Sequence, residues 1–315
     1  MRAMILAAGF GTRLRPLTGK RPKCLMPVMN RPLLGLWLER LSAWGVERAV
    51  VNTHHLAPMV EAWLERRAPA GLELVLSFEP VILGTGGGLA AARPSLGGEP
   101  FLLLNADVLA TAPVPALLQR LEQSGALAVL GLADEPRVNT VAVDNGGRVL
   151  GFQGQPGLPG GARWLTYSGL AAIHPRLLDF LPAGGYSTLV QGIKAALAAG
   201  ELVLGQELDG FWDDLGTPEK LWRLHRRLAG SPPPGLEHLA PAGPALLAPQ
   251  ARLHPQARVE GFAVLGRGAV VEAGARLRDV VLLPGARAAA GARVSRAILG
   301  DGFLARGRIE GGAYA

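Results

Sequence analysis

Two glycine-rich loops carry the residue types that bind phosphate and nucleotide groups. The first follows the apolar run Met4–Ala8 and holds Gly9 and Gly11, and its basic residues are Arg13, Arg15, Lys20, Arg21 and Lys23. Glycine lets backbone N–H groups approach an anion, and Arg and Lys add charge-assisted hydrogen bonds. The loop therefore suits a polyphosphate. It is not a Walker loop, because no Gly-Lys-Ser/Thr follows, and it lacks the third glycine of the dinucleotide fingerprint.

The second loop runs from Glu79 through Gly84 and Thr85 to the glycines at 86–88. Its exposed backbone could follow the edge of a nucleobase and pass close to a ribose. An ionised Glu79 accepts hydrogen bonds only, so it would suit the N1–H and N2–H donors of guanine, whereas a Gln would suit uracil or thymine. A flexible turn without a ligand is the alternative interpretation.

Carboxylates follow two further segments. Asp107 comes directly after the apolar run Phe101–Leu104, which predicts a central buried strand. Burying a carboxylate is costly unless it has a partner, and a cation is one such partner. Asp213 and Asp214 precede a helix start that is marked by Thr217-Pro218-Glu219.

Three other candidates have simpler explanations. His54 and His55 are adjacent, so on a strand they would point to opposite faces, and no third ligand stands nearby at a suitable spacing. We expect them to be loop or helix-cap residues. Cys24 is the single cysteine, which excludes an internal disulfide, and we expect it to pack in the interior.

The elements that must position these loops alternate between strand and helix. Strand-like runs occur at Arg48–Asn52 and Leu72–Phe78, and helical patterns occur at Leu33–Trp44 and Pro58–Arg67. This order predicts an α/β fold with a doubly wound, Rossmann-like and mostly parallel sheet. Such sheets bind ligands beyond the carboxyl ends of their strands, which is where the first loop begins.

The C-terminal part of the chain repeats every six residues. An aliphatic residue leads nearly every unit from Leu247 onward, which predicts a short left-handed parallel β-helix of nearly three coils. We therefore predict a catalytic domain at 1–229, a Pro/Gly linker at 230–246 and a β-helix at 247–315. His254 is the only histidine within the repeats, and we favour a cap or a homo-oligomer contact over acyl transfer.

Composition narrows the class of partner. The net charge is +7, and the arginines that supply most of it are scattered through the chain without aromatic interleaving. This favours phosphorylated small molecules over nucleic acid. The N-terminus lacks an apolar signal region, and no apolar run reaches the ~18 residues of a membrane span. We expect a cytoplasmic protein with no membrane association.

The first loop resembles the signature of the NDP-sugar pyrophosphorylases, the nucleotidyltransferases that act on sugar 1-phosphates. The match is Gly9-Phe-Gly11-Thr12-Arg13-Leu-Arg-Pro16-Leu17-Thr18, then Pro22-Lys23 and Pro27-Val28. The resemblance implies that Arg13 and Lys23 are catalytic residues. Arg13 would bind the departing phosphates, and Lys23 would act on the α-phosphate. The resemblance also implies a nucleotide site made of Ala7, Ala8, Gly9, Gly11, Thr12, Arg13, Glu79, Gly84 and Thr85.

The same resemblance extends to a metal and a sugar site. Asp107 and Asp214 match the two aspartates with which the family holds Mg²⁺, and Tyr167 and Gly169 fall in the segment that lines its sugar pocket. This sequence departs from the family at Gly154-Gln155-Pro156, where many relatives have Glu-Lys-Pro with a lysine on the sugar phosphate. Arg163 or Lys194 could substitute for that lysine.

The resemblance implies an enzyme that joins an NTP to a sugar 1-phosphate and releases pyrophosphate. GTP with mannose 1-phosphate is the preferred pair, because of Glu79 and the repeat segment. The alternative is a uridylyltransferase acting on an amino-sugar 1-phosphate such as N-acetylmuramic acid 1-phosphate. A non-catalytic subunit that senses an NDP-sugar is a further alternative from a different class.

Overall fold

The computed structural model describes residues 1–315 as two compact units, each built from two segments. Unit 1 consists of Met1–Gly9 and Trp37–Asp213, and unit 2 consists of Phe10–Leu36 and Asp214–Ala315. The first glycine loop is therefore grouped with the C-terminal part of the chain. Local sequence patterns do not reveal such a grouping, because it depends on contacts between residues that are far apart in the chain.

Six α-helices and twenty-four strands make up the regular structure. The helices are α1 (Leu33–Ala43), α2 (Ala57–Arg67), α3 (Gly84–Leu96), α4 (Pro115–Ser124), α5 (Leu189–Ala198) and α6 (Pro218–Gly230). The first strands are β1 (Arg2–Leu6), β2 (Pro27–Val28), β3 (Arg31–Pro32), β4 (Arg48–Thr53), β5 (Glu73–Phe78), β6 (Phe101–Asn105), β7 (Val108–Ala110), β8 (Ala128–Ala133), β9 (Val141–Val143), β10 (Val149–Phe152), β11 (Arg163–Ile173), β12 (Val203–Glu207) and β13 (Trp212–Asp214). The repeat strands are β14 (Ala245–Leu247), β15 (Arg252–Leu253), β16 (Arg258–Leu265), β17 (Val270–Val271), β18 (Arg276–Leu282), β19 (Arg287–Ala288), β20 (Arg293–Ser295), β21 (Ile298–Leu299), β22 (Leu304–Ala305), β23 (Arg308–Glu310) and β24 (Ala313–Tyr314).

Unit 1 is organised around a nine-stranded sheet, which confirms the predicted α/β fold. Its strand order is β10-β9-β11-β6-β1-β4-β5, and β8 joins through β11 and carries β12. The run β6-β1-β4-β5 is parallel, and β11 lies antiparallel to β6. Ala3, Met4, Ile5 and Phe101–Leu104 are fully buried, as expected for central strands covered on both faces.

Helix boundaries differ from the pattern at two places. Helix α3 begins at Gly84, inside the second glycine loop, although glycine is a poor helix former. Gly86, Gly87 and Gly88 are buried there, so tertiary packing overrides propensity. Helix α4 was not predicted, and it begins with Pro115 in its first turn, where the missing N–H of proline does no harm.

The repeats of unit 2 form parallel sheets whose register fits the predicted left-handed β-helix. The stack β15-β17-β19-β22 has four rungs, however, so the predicted number of nearly three coils was wrong. Arg252 pairs with Val270, eighteen residues on, and Val270 pairs with Arg287 in the next coil. The interior is a stack of small and aliphatic side chains, including Leu265, Leu282 and Leu299. No helix of the chain combines the length and the apolar character that crossing a membrane requires.

Candidate active site

Three parallel strands of unit 1 end side by side and deliver polar residues to one edge of the sheet. Leu6 pairs with Asn52 on one side and with Asn105 on the other. The segment Ala7–Gly9, the end of β4 and the turn that holds Asp107 therefore lie at the same edge. This is where a doubly wound sheet binds its ligand.

Asn52 joins the two glycine-loop regions within unit 1. Its Oδ1 accepts a hydrogen bond from the N–H of Ala7 at 2.6 Å, and its Nδ2 donates to Oε1 of Glu79 at 2.7 Å. Oε2 of Glu79 accepts from the N–H of Leu83 at 2.9 Å. Asn52 is 2% exposed and Glu79 is 1% exposed, so this chain of three hydrogen bonds is shielded from water. It links the end of β1 to the loop that precedes α3.

This geometry corrects the contact predicted for Glu79. We expected the carboxylate to accept from guanine, but both of its oxygens already accept from groups of the protein, and the side chain is buried. A buried carboxylate must be satisfied internally, and here the loop supplies the donors. Gly88 packs against the pair: a Cβ at Gly88 would lie 2.7 Å from Asn52 Nδ2 and 2.7 Å from Glu79 Oε1. Glu79 thus holds the loop in place.

The second glycine loop is also tied to the segment before α5. The carbonyl oxygen of Ser187 accepts from the N–H groups of Gly86 at 2.9 Å and Gly87 at 3.3 Å. The hydroxyl of Thr85 accepts from the N–H of Leu189 at 2.9 Å. The side chain of Thr85, predicted to bind nucleotide, is therefore used to anchor α5. Gly84 has φ +73°, a left-handed conformation that favours glycine.

The predicted sugar segment reaches the same edge through Gly169. A Cβ at Gly169, which has φ +81°, would lie 2.6 Å from Nδ2 of Asn105, two residues before Asp107. The hydroxyl of Tyr167, in contrast, is buried without a hydrogen-bond partner, and burial raises the pKa of Tyr167. Gly169 therefore lies beside Asn105 at this edge, whereas the Tyr167 hydroxyl is buried in the protein. The assignment of both residues to a sugar site stays a prediction.

The two candidates for the missing lysine have different surroundings. Arg163 pairs with Glu207, with Nη2 donating to Oε2 at 2.7 Å. Nζ of Lys194 lies 5.7 Å from the ring centroid of Phe152, directly before the Gln153–Pro156 loop. Oε1 of Gln155 accepts from the N–H of Phe152 at 2.6 Å, so Gln155 folds back onto its own loop. Of these two cations, only Arg163 forms an ion pair with a carboxylate, and Lys194 does not.

Within unit 2, the first glycine loop folds tightly around Gly11. This residue has φ +63°, and a Cβ on it would lie 2.9 Å from Thr18 Cγ2 and 3.1 Å from Lys23 Cβ. The Thr18 hydroxyl donates to the carbonyl oxygen of Gly11 at 2.8 Å. The turn uses the N–H groups of Leu14 and Arg15 as donors. The N–H groups of Gly11 and Thr12 lie outside those hydrogen bonds, as a phosphate site in this loop would need.

Arg13 and Asp214 both lie close to Gly216 in unit 2. A Cβ at Gly216 would lie 2.7 Å from Asp214 Oδ2 and 3.4 Å from the Arg13 guanidinium carbon. The arginine that is predicted to bind phosphate and one predicted metal ligand are therefore neighbours. Oδ1 of Asp214 also forms an ion pair with Nζ of Lys220, whose position was not singled out from the sequence.

The donor chemistry of the two predicted metal ligands suits Mg²⁺. Asp107 belongs to unit 1 and Asp214 belongs to unit 2. No group of three or more His, Cys, Asp or Glu side chains forms a metal cluster by itself. Mg²⁺ commonly uses only one or two carboxylates and completes its shell with water and substrate phosphates. Asp107, which is partly exposed, and Asp214, which is 25% exposed, have the ligand type that such a site takes.

The simpler explanations for His54 and Cys24 fit the structure. Nδ1 of His54 lies 2.7 Å from the carbonyl oxygen of Glu79 and donates to it, which makes His54 another support of the second glycine loop. Cys24 is buried.

The fold and the loops at the sheet edge are those of a nucleotidyltransferase. The chain belongs to the nucleotidyl transferase family, whose model matches residues 2–231. It is 36% identical over 234 residues to N-acetylmuramate alpha-1-phosphate uridylyltransferase of Neisseria meningitidis, a match that covers 73% of this chain and 99% of that protein. It is 30% identical over 299 residues to mannose-1-phosphate guanylyltransferase of Mycobacterium tuberculosis, with 93% of this chain and 83% of that protein covered.

The fold itself is shared with a solved structure, the UDP-glucose pyrophosphorylase of Acinetobacter baumannii. The TM-score is 0.62 at 21% identity, and the match covers 75% of this chain and 95% of that one.

Proposed function

We propose that this protein transfers a nucleotidyl group from an NTP to a sugar 1-phosphate and releases pyrophosphate. The observation that carries the proposal is the buried hydrogen-bond chain through Asn52, which joins both glycine-loop regions at the carboxyl edge of the sheet. Family membership and the activities of the two relatives support the same reaction.

Catalysis in this reaction consists of positioning and charge neutralisation. A phosphate oxygen of the sugar 1-phosphate attacks the α-phosphorus in line, and the bond from that phosphorus to the bridging oxygen of pyrophosphate breaks. Arg13 and the N–H groups of Gly11 and Thr12 bind the departing phosphates. Lys23 neutralises charge that develops on the α-phosphate. The attacking phosphate is ionised near pH 7, so the reaction needs no general base.

Asp107 and Asp214 are the residues that would hold Mg²⁺. When bound, the ion would neutralise phosphate charge in the transition state. Of the two Asp214 carboxylate oxygens, Nζ of Lys220 pairs with Oδ1, so Oδ2 would remain as a ligand for the ion.

Mannose 1-phosphate with GTP remains the preferred substrate pair. The match to the guanylyltransferase covers 93% of the chain and so includes much of the repeat segment. Uridylyl transfer to an amino-sugar 1-phosphate is the second candidate, favoured by the 36% identity to the Neisseria enzyme and by the internal use of the Glu79 carboxylate. An NDP-sugar-sensing subunit without turnover is the third.

One assay separates these candidates. Pyrophosphate release is measured with GTP, UTP, ATP and dTTP, each combined with mannose, glucose and N-acetylmuramic acid 1-phosphates, with and without Mg²⁺. We expect release with a single preferred pair, dependent on the metal. Binding of NDP-sugar without release from any pair would show a sensing subunit. Homo-oligomer formation through the repeats is a separate proposal, tested by light scattering of the full chain.

A further inference from the structure

Inside unit 2, the last coil of the repeats contacts the basic residues of the first glycine loop, which we call the basic loop. The guanidinium of Arg21 binds the carboxylate of Asp301: Nε donates to Oδ2 at 3.0 Å, and Nη2 donates to Oδ1. The two side chains are only 17% and 18% exposed. Nζ of Lys20 donates to the backbone oxygen of Asp301 at 3.2 Å. A two-point arginine–carboxylate contact fixes orientation as well as distance.

A second contact holds the other end of the same loop. Nδ2 of Asn30 donates to the carbonyl oxygen of Leu265 at 3.0 Å. Leu265 belongs to an earlier coil, since it pairs with Leu282, which in turn pairs with Leu299 just before Asp301. Lys23 and its turn, Lys23–Leu25, lie between the two anchored points of the loop.

The ion pair also reduces the number of cations in the loop that can bind phosphate. Arg21 is two residues from Lys23 and would compete for the same phosphates if its guanidinium were available. Because Asp301 accepts from both Nε and Nη2, this edge of the guanidinium is bound to the protein. The Neisseria relative matches 73% of this chain over 99% of its own length, so it has no room for a counterpart of the repeats. A contact of this kind therefore needs the repeat segment.

We propose that Asp301 and Arg21 are positioning residues for nucleotidyl transfer: the last coil of the β-helix sets the backbone that carries Lys23. The repeats thereby act on catalysis. This inference rests on the proposed role of Lys23.

The test compares full-length variants of this pair with a matched ion pair inside the repeats. Asp301→Ala, Asp301→Asn and the exchange Arg21→Asp/Asp301→Arg are measured beside Glu272→Gln, which disrupts the contact of Glu272 with Arg287 at 2.6 Å. We expect Asp301→Ala to lower kcat about tenfold or more with a smaller change in the KM for NTP, since small misplacements of a catalytic group are costly. Asp301→Asn should lose less, and the exchange should recover part of the loss. Glu272→Gln should stay within about twofold of the parent, as expected of an exposed pair.

Hydrogen exchange of residues 10–26 provides a readout that needs no substrate. Faster exchange there in Asp301→Ala, and not in Glu272→Gln, supports the positioning contact even if the parent protein releases no pyrophosphate and the proposed function fails. Unchanged exchange overturns the inference. A kcat within twofold of the parent in Asp301→Ala, or an equal loss in Glu272→Gln, also overturns it.

Discussion

Asn52 and Glu79 form a buried amide–carboxylate pair with Nδ2 to Oε1 at 2.7 Å, and each partner holds the backbone of a different glycine-loop region. Three donors and three acceptors are matched along this chain: Ala7 N–H to Asn52, Asn52 to Glu79, and Leu83 N–H to Glu79. The position of one loop is therefore coupled to that of the other.

Exchanging the two functional groups tests this coupling. The single change Glu79→Gln places an NH₂ group against one of the two donors that Glu79 now accepts from, the Asn52 amide or the Leu83 N–H. The single change Asn52→Asp places two carboxylates next to each other. Each single change should raise the KM for NTP about tenfold, the scale of one lost buried hydrogen bond. The double variant Asn52→Asp/Glu79→Gln restores all three hydrogen bonds and should recover most of the loss, as measured by pyrophosphate release. A double variant as impaired as the worse single change would contradict the coupling.

Lys194 is the residue we expect to replace the missing Glu-Lys-Pro lysine. Lys194→Ala should raise the KM for the sugar 1-phosphate about tenfold and leave the KM for NTP within twofold, since one charge-assisted contact is lost. Arg163→Ala is the control, because its guanidinium is already paired with Glu207. Steady-state kinetics with each substrate varied in turn measures both constants. Equal effects of the two variants would assign the phosphate contact elsewhere.

Lys23→Ala should lower turnover more than NTP affinity, because the charge it neutralises develops in the transition state. A loss on the order of 10²-fold in kcat is expected for one preorganised charge contact. Arg15→Ala removes an exposed cation from the same loop and should have little effect. Single-turnover kinetics and equilibrium nucleotide binding separate the two quantities. A change confined to affinity would make Lys23 a ground-state contact.

Asp107→Asn should abolish Mg²⁺-dependent pyrophosphate release and leave thermal unfolding within a few degrees of the parent. Asp214→Asn should behave alike, whereas Asp213→Asn, one residue earlier, should retain activity. Binding of Mn²⁺ followed by electron paramagnetic resonance provides a readout independent of turnover. Full activity in Asp107→Asn would refute the metal assignment.

The burial of His225 predicts that the stability of the protein depends on pH. Its ring is fully buried in unit 2, Nε2–H donates to the carbonyl oxygen of Pro27 at 3.2 Å, and burial lowers the pKa of His225 to about 4. The unfolded chain therefore takes up this proton first as the pH falls. The neutral His225 ring therefore contributes to the free energy of unfolding. This contribution is fully present above pH ~6.5 and is lost progressively down to pH 4, by up to roughly 3 kcal/mol. Urea unfolding at several pH values measures it, and His225→Gln should flatten the dependence over this range. Identical pH slopes in the two proteins would rule out His225 as the cause.

The order of elements and the edge that carries the loops could be predicted from local patterns. The apolar runs at β1, β4 and β6 are short and continuous, and each is followed by polar or glycine residues. Such patterns determine which strand ends carry chemistry. Gly169 was named from the family resemblance instead, and it lies within β11, next to the pairing of Leu170 with Leu104 of β6.

The partners of individual side chains could not be predicted in the same way. Asn52 ends the run Val50-Val51-Asn52, where a single Asn resembles an ordinary strand end, and its two partners lie 45 and 27 residues away in the chain. The acceptor chemistry of Glu79 and the family resemblance both predict a contact with the base, but two protein donors meet that chemistry instead. Asp301 carried no sequence signal, since an exposed-looking Asp in a repeat turn resembles any other.

The two contacts between the basic loop and the repeats set a length requirement on the β-helix. Asn30 reaches the rung of Leu265, and Arg21 reaches a turn that follows the rung of Leu299, two rungs later. Adding or deleting one coil between them would shift the second anchor by about 4.8 Å, more than a hydrogen bond can span. The number of coils between Leu265 and Asp301 is therefore fixed by the distance between the two contact points on a loop that lies outside the repeats.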